Sequence, residues 1–431
     1  MGRKSIYKRL AQITVLLALV IAFAQASYSY SVLTHQAIID STWKDSIELV
    51  LLKRYPRASA EQLRQARAHA YGGAIIQDMG YYPFGSKFFT DLVHYVRSGD
   101  FIEALIAEAR DINELAFALG ALAHYAADND GHSMGINRAV PIIYPKLRAK
   151  YGDVVTYADD PSSHIKAEFG FDVLQVARGR YAPEAYHDFI GFKVSESVLA
   201  RAFLKTYSLK LEDVFDNLDL ALSTYRKAVS DIIPQMTRVA WEMKQDEIQK
   251  ASPGITSEKF IYNISRADYE KEWGREYKKP GCISKMLAFC ARILPKVGPL
   301  KALDFKMPTP EAERLFMESF NSTIKLYRAM LAQARAGAFN LQNRDFDTGR
   351  PTRAGEYKLA DEAYADLLVK LEKKNFEGVN PSLRENVLAF YGDLSAPIAT
   401  REDKSDWRKT LRALERLKAA GQPSAQTRDQ D

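Results

Sequence analysis

The sequence predicts an all-α protein, a multi-helix bundle with additional helices at its C-terminal end. Apolar residues recur at helical spacing over long stretches, and residues suited to capping stand where those stretches begin. Alternating strand patterns flanked by turn residues are scarce. The best of them, Asp153-Val154-Val155-Thr156-Tyr157, is short.

Residues 1–29 read as a secretory signal peptide. Arg3, Lys4, Lys8 and Arg9 make a basic start, and Ile13 to Ala24 is an apolar run of 12 residues, too short to span a bilayer comfortably. Small residues follow, and two positions suit cleavage, before Ser27 or before Tyr30. Thr34 is placed to cap a helix from His35 to about Leu52. A second helix is expected over Ala58 to Ala74, with Ser59 and Glu61 at its start, and a third over Asp111 to Asp128, stopped by Asp130-Gly131. Val214 to Ile248 carries Leu218, Leu220, Leu222, Tyr225, Val229, Ile232 and Ile233 at helical spacing, with Pro234 as an expected kink.

Ser252-Pro253-Gly254 marks a boundary. The expected division is a signal peptide (1–29), a helical domain (30–250), a connecting segment (251–305), a C-terminal helical region (306–420) and a polar, disordered tail (421–431). Within the connecting segment, residues 282–303 interleave apolar side chains with Lys285, Arg292, Lys296 and Lys301, a pattern that can lie on an anionic membrane surface. Cys282 and Cys290 are eight apart. On one helix that is about 12 Å, too far for a disulfide, so free thiols are expected.

Composition excludes a disordered chain and a small disulfide scaffold: 47% of the 431 residues are hydrophobic and only two are cysteine. The formal charge of +6 loses four basic residues and no acid with the signal peptide, which leaves +2. A near-neutral chain offers no general attraction for nucleic acid.

The seven histidines say more than the charge. His124 and Asp128 are four apart on an expected helix, as are His164 and Glu168, so each pair projects from one helix face. Imidazole and carboxylate at that spacing are a common way for one helix to offer two ligands to a zinc-type ion. His132 follows Asp128 by four, His35 stands near the expected mature N-terminus, and His94 lies in FFTDLVHYV. Asp78 sits in the apolar context AIIQDMGYYP, where an uncompensated carboxylate is costly. His69 and His187 read as surface histidines, Asp91 as a residue that could orient His94 or cap its helix, and the aromatic run Gly80 to Phe89 as core or substrate mouth. No G-x-S-x-G or phosphate-binding loop is found, and the segment Asp345 to Tyr357 matches no catalytic motif.

The order His35, Asp78, His94, His124-x3-Asp128, His132, His164-x3-Glu168 resembles the zinc-dependent phospholipase C family, which includes the GPI-specific phospholipases D and is related in fold to the S1/P1 nucleases. The resemblance covers roughly residues 30 to 180 and implies a helical fold around three zinc ions. It implies Asp78, His94, His124 and Asp128 as ligands of one zinc, and His132, His164 and Glu168 as ligands of a second. The third would take His35, the shared Asp128 and the main-chain groups of a mature first residue, Tyr30. Asp78 and Asp128 are the candidate catalytic carboxylates. Bacterial phospholipases C and the nucleases start with Trp where this chain has Tyr30, and they place five residues between the bridging Asp and the next His. Here there are three, Asn129 to Gly131, which is more similar to the GPI-phospholipase D branch.

The reading that follows is an exported, secreted or periplasmic zinc phosphodiesterase acting on a phospholipid or lipid-like phosphoester, with 282–303 as a candidate membrane contact and no nucleic acid favoured. The alternatives are a single-strand nuclease of S1/P1 type and a non-catalytic zinc-stabilised binding protein. A structural zinc site needs four ligands, and this chain holds twice as many candidate side chains.

Overall fold

A computed structural model describes residues 32–181, 192–229, 233–256, 260 and 302–420. The signal peptide, Tyr30, His187, Cys282, Cys290 and the tail 421–431 lie outside the described residues, as does the expected membrane contact except its last two residues, Ala302 and Leu303, which are buried. Helices run in the order α1 (Val32–Thr42), α2 (Glu48–Arg54), α3 (Ala60–Gly73), α4 (Lys87–Tyr95), α5 (Ser98–Glu108), α6 (Ile112–Asp130), α7 (Asn137–Ile143), α8 (Pro145–Tyr151), α9 (Pro161–Ala177), α10 (Glu196–Tyr207), α11 (Leu218–Lys227), α12 (Ile233–Ala251), α13 (Pro310–Ala336), α14 (Lys358–Lys373), α15 (Pro381–Phe390) and α16 (Lys404–Ala420). The protein is all-α: among the described residues the sole β pairing is an isolated bridge, Arg344 to Pro351.

The core is organised around α6, buried on almost every side. Asp111 caps it, its carboxylate accepting from the main-chain N–H groups of Asn113 and Glu114. Small residues then let α3 press against it. A Cβ at Gly73 would lie 1.9 Å from the Phe117 carbonyl oxygen, and one at Gly120 would lie 2.1 Å from the Ala70 carbonyl oxygen. Only glycine permits main chains to meet so closely. On another face α13 begins at the Thr309 cap, and Tyr327 donates from its hydroxyl to the Leu119 carbonyl of α6 at 2.8 Å. Phe316 of α13 stacks on Phe171 of α9, ring centroids 4.3 Å apart. Helix α13 therefore packs directly on the element that carries His124 and Asp128.

Several expectations change. Thr34 does not cap a helix; it lies inside α1, its hydroxyl donating to Asp172 at 2.6 Å and paired with Tyr181 at 2.9 Å. The expected helix to Leu52 is interrupted by a π-helical turn, Trp43–Ile47. Asp130-Gly131 does not stop α6. The chain winds through a second π-helical turn, Gly131–Ile136, directly into α7, so His124, Asp128 and His132 follow one another along a continuous helical path. Asp153 to Tyr157 is not a strand; its Val155 N–H donates to the Asn137 carbonyl at 2.8 Å. Pro234 is the second residue of α12, and the non-helical backbone falls at Lys244. His69 is half-buried beneath Ser195, 2.8 Å away, because the segment after residue 192 folds over α3.

Candidate metal centre

The site residues come from α6 and five further elements. His124 and Asp128 sit on the C-terminal half of α6, His132 on the π-helical turn beyond, Asp78 on the 3-10 turn Ile76–Tyr81, and His94 near the end of α4. His35 lies on α1, and His164 and Glu168 share a face of α9. All eight are buried, none more than 3% exposed.

Their polar atoms converge in three groups: His35, His124 and Asp128; Asp78, His94 and His124; and His132, His164 and Glu168. Within each group one donor atom per residue lies within 4.8 Å of the others. His124 belongs to the first two, and Asp128 approaches both. Its Oδ1 is 3.6 Å from His35 Nε2, and its Oδ2 is 3.0 Å from His124 Nε2 and 3.6 Å from His94 Nε2. Asp78 Oδ1 is 3.3 Å from His94 Nε2. In the third group Glu168 Oε1 stands 2.9 Å from His164 Nδ1 and 3.5 Å from His132 Nε2.

The far sides of four of the five rings are tied to the protein, which fixes the nitrogen that faces inward. His94 Nδ1 is 2.9 Å from the Thr90 carbonyl, and His124 Nδ1 is 2.9 Å from the Ala74 carbonyl. The glycine crossing of α3 and α6 brings the Ala74 carbonyl there. His132 Nδ1 is 3.2 Å from Asp347, and His164 Nε2 is 2.8 Å from Asn137 Oδ1. Asp91 does not orient His94; it takes the Lys87 ammonium at 2.6 Å. His35 is held differently, its ring stacked on His124 with centroids 4.4 Å apart. Its helix is anchored by Asp172, whose carboxylate accepts from the Leu33 N–H at 3.0 Å as well as from Thr34.

Burial and charge act together on these groups. Burial, then the neighbouring His124, holds the His35 imidazole well below its usual range. Burial opposes charge on His94 also, but there the carboxylates of Asp128 and Asp78 prevail and raise it to about 10. Burial is the main influence on Asp78 and pushes its carboxyl up. For Asp128 burial is outweighed by His124 and His132, and the carboxyl is held well below the ordinary range.

A zinc-type ion fits this donor set. Asp78 Oδ1, His94 Nε2, His124 Nε2, His164 Nδ1 and both Glu168 oxygens are buried and make no hydrogen bond, yet they face one another at a few ångströms. Buried polar atoms left so are costly unless a cation completes them. Imidazole nitrogen with carboxylate oxygen is a zinc-type set.

Residues 34–217 match the family model of zinc dependent phospholipase C. The matched stretch, 184 of the 431 residues, is similar to that family. The phospholipase C-like chain is accordingly a phosphoric-ester hydrolase that works with zinc. No curated protein and no solved structure matches it.

Sequence reasoning missed the residues around the donors. Asp347 and Phe346 lie beyond the matched residues, yet the Phe346 ring is 4.9 Å from that of His94 and 5.9 Å from that of His124. The one signal in the sequence was the acidic, glycine-containing stretch DFDTGR with no assigned role. Of the aromatic run after Gly80, Tyr81, Tyr82 and Phe89 are core, while Phe84 is exposed.

Proposed function

We propose that this zinc phosphodiesterase hydrolyses a phospholipid or lipid-like phosphoester, holds three ions with His35, Asp78, His94, His124, Asp128, His132, His164 and Glu168, and is exported. The observation that carries the reading is the convergence of three buried donor groups, two of which share His124 and are both approached by Asp128. Bound zinc would make a water acidic enough to supply a nucleophile near neutral pH and would polarise the phosphoryl oxygens.

The chain's own groups do the rest. Asp128 presents one oxygen to each side, bringing negative charge to the centre of the set. Asp78, with its carboxyl pushed up by burial, is suited to accept a proton from the attacking water. Tyr81 and Tyr157 border the donors, with ring centroids 6.3 Å from His94 and 5.9 Å from His164. Both rings are buried beside the donors, with 7% and 8% exposure. An apolar, aromatic border favours a substrate with a lipid portion.

Export rests on the character of residues 1–29. Asp172 holds Leu33 and Thr34 beside His35, and Tyr30 precedes Val32 by two residues, a reach of about 7 Å. That supports the amino group of a mature Tyr30 as a donor beside His35.

The test is to purify the secreted protein, sequence its N-terminus, count zinc by mass spectrometry, and offer phosphatidylcholine and single-stranded DNA separately. Zinc near three per chain with release of phosphocholine or choline is expected. Digestion of DNA alone would replace the lipid reading with a nuclease, and bound zinc without turnover would replace it with a binding protein. A start at Ser27 would remove Tyr30 from the site.

A further inference from the structure

We propose that Asp347, from the C-terminal region, is a positioning residue for the His132–His164–Glu168 group, so that residues beyond the family domain complete the metal centre. This rests on reading that group as the donors of one ion.

Asp347 is 3% exposed and lies 215 residues beyond His132. Its Oδ1 is 3.2 Å from His132 Nδ1. Its Oδ2 accepts from the Tyr95 hydroxyl at 2.8 Å and from the Tyr357 hydroxyl. Its main-chain oxygen accepts from Asn137 Nδ2 at 2.6 Å, and the Oδ1 of that same amide stands 2.8 Å from His164 Nε2. One residue thus ties down the far nitrogen of His132 directly and that of His164 through Asn137. The nitrogens left facing inward differ, Nε2 for His132 and Nδ1 for His164, and both point at Glu168 Oε1. Without these ties neither ring has a reason to keep that tautomer.

The loop that delivers Asp347 is itself braced. Asp345 Oδ1 accepts from the Thr348 N–H at 2.7 Å, the Asp345 N–H donates to the Arg350 carbonyl at 2.9 Å, and Arg344 donates to the Gly349 carbonyl at 2.7 Å. Gly349 has φ +69°, and a Cβ there would lie 2.4 Å from the carbonyl oxygen of Asn129, the neighbour of Asp128. The loop is therefore seated on the end of α6 itself. A carboxylate here also adds a negative charge next to the donors without occupying a ligand position, which favours binding of a dication.

The test compares wild type with Asp347→Ala, Asp347→Asn and Tyr357→Phe as full-length secreted proteins. Zinc affinity is read by chelator competition, the imidazole nitrogens by NMR of 15N-histidine-labelled protein, and stability by urea unfolding after chelation. Asp347→Ala should weaken one zinc by about 10–100-fold and shift the His132 nitrogens toward a mixed tautomer. Asp347→Asn, which can still accept a hydrogen bond, should keep the tautomer and lose less affinity, and Tyr357→Phe should leave the His132 signal in place. A purely structural Asp347 would lower the urea midpoint while leaving zinc affinity within twofold and the His132 signal unmoved; that result overturns the inference. Wild type that binds no zinc overturns the underlying reading of the donors, and the inference with it.

Discussion

Replacing Gly120 by alanine pits two effects of opposite sign against each other. In a helix interior alanine is favoured over glycine by about 1 kcal/mol, so propensity alone predicts a more stable protein. The crossing predicts the reverse. The new Cβ would sit 2.1 Å from the Ala70 carbonyl oxygen and 2.9 Å from the Ala74 nitrogen. Both are main-chain atoms that no rotamer change can move, so α3 and α6 must part by roughly 1 Å to restore ordinary contact. Overpacking of this kind costs about 1–3 kcal/mol and more where the backbone itself must shift. The net expectation is a loss of about 1–2 kcal/mol, read as a lower urea midpoint of the chelated protein. The same displacement pulls the Ala74 carbonyl from His124 Nδ1, now 2.9 Å away, toward the limit of a hydrogen bond. Zinc affinity should therefore fall by about 10-fold or more. A stability gain near 1 kcal/mol would refute the packing argument, and a stability loss with unchanged zinc affinity would refute the link from the crossing to the site.

Zinc affinity should rise with pH through the neutral and alkaline range, because His94, raised to about 10 by Asp128 and Asp78 against its burial, must give up a proton before Nε2 can coordinate. Calorimetry in buffers of different ionisation enthalpy should show proton release on zinc binding at pH 7.5, and its absence would count against His94 as a donor. In the chelated protein the sign is opposite: stability contributed by protonated His94 is complete below pH 6.5 and is lost as pH climbs toward 10. His69 behaves in the other direction. Burial is the main cause that lowers it from 6.5 to about 4, so it favours the folded state above pH 6.5 and loses that contribution as pH falls toward 4. His69→Gln, which keeps a partner for Ser195, should reduce the acid sensitivity of the urea midpoint over that window; identical profiles would place the acid lability elsewhere.

How legible the site was in the sequence depended on residue type. His35, His94, His124, His132 and His164 stood out because only seven histidines are present, and the i, i+4 pairs with Asp128 and Glu168 follow from helix geometry alone. Asp78 was visible because an acid in an apolar run demands a partner. Thr34 misled for a local reason: it has the right residue type for a cap, but Asp172 and Tyr181, more than a hundred residues away, claim its hydroxyl. The stop expected at Asp130-Gly131 failed because Gly131 adopts helical angles and the π-helical turn carries the chain on.

The sequence by itself determined the helical class and the order of the candidate donors, since both are set by local spacing and by side-chain chemistry. Tertiary structure alone decided which nitrogen His94, His124, His132 and His164 turn inward. That choice is made by the Thr90 and Ala74 carbonyls, by Asn137 and by Asp347. Main-chain oxygens have no residue signature, and an aspartate 215 positions from its histidine becomes a partner only when the C-terminal loop is seated against α6.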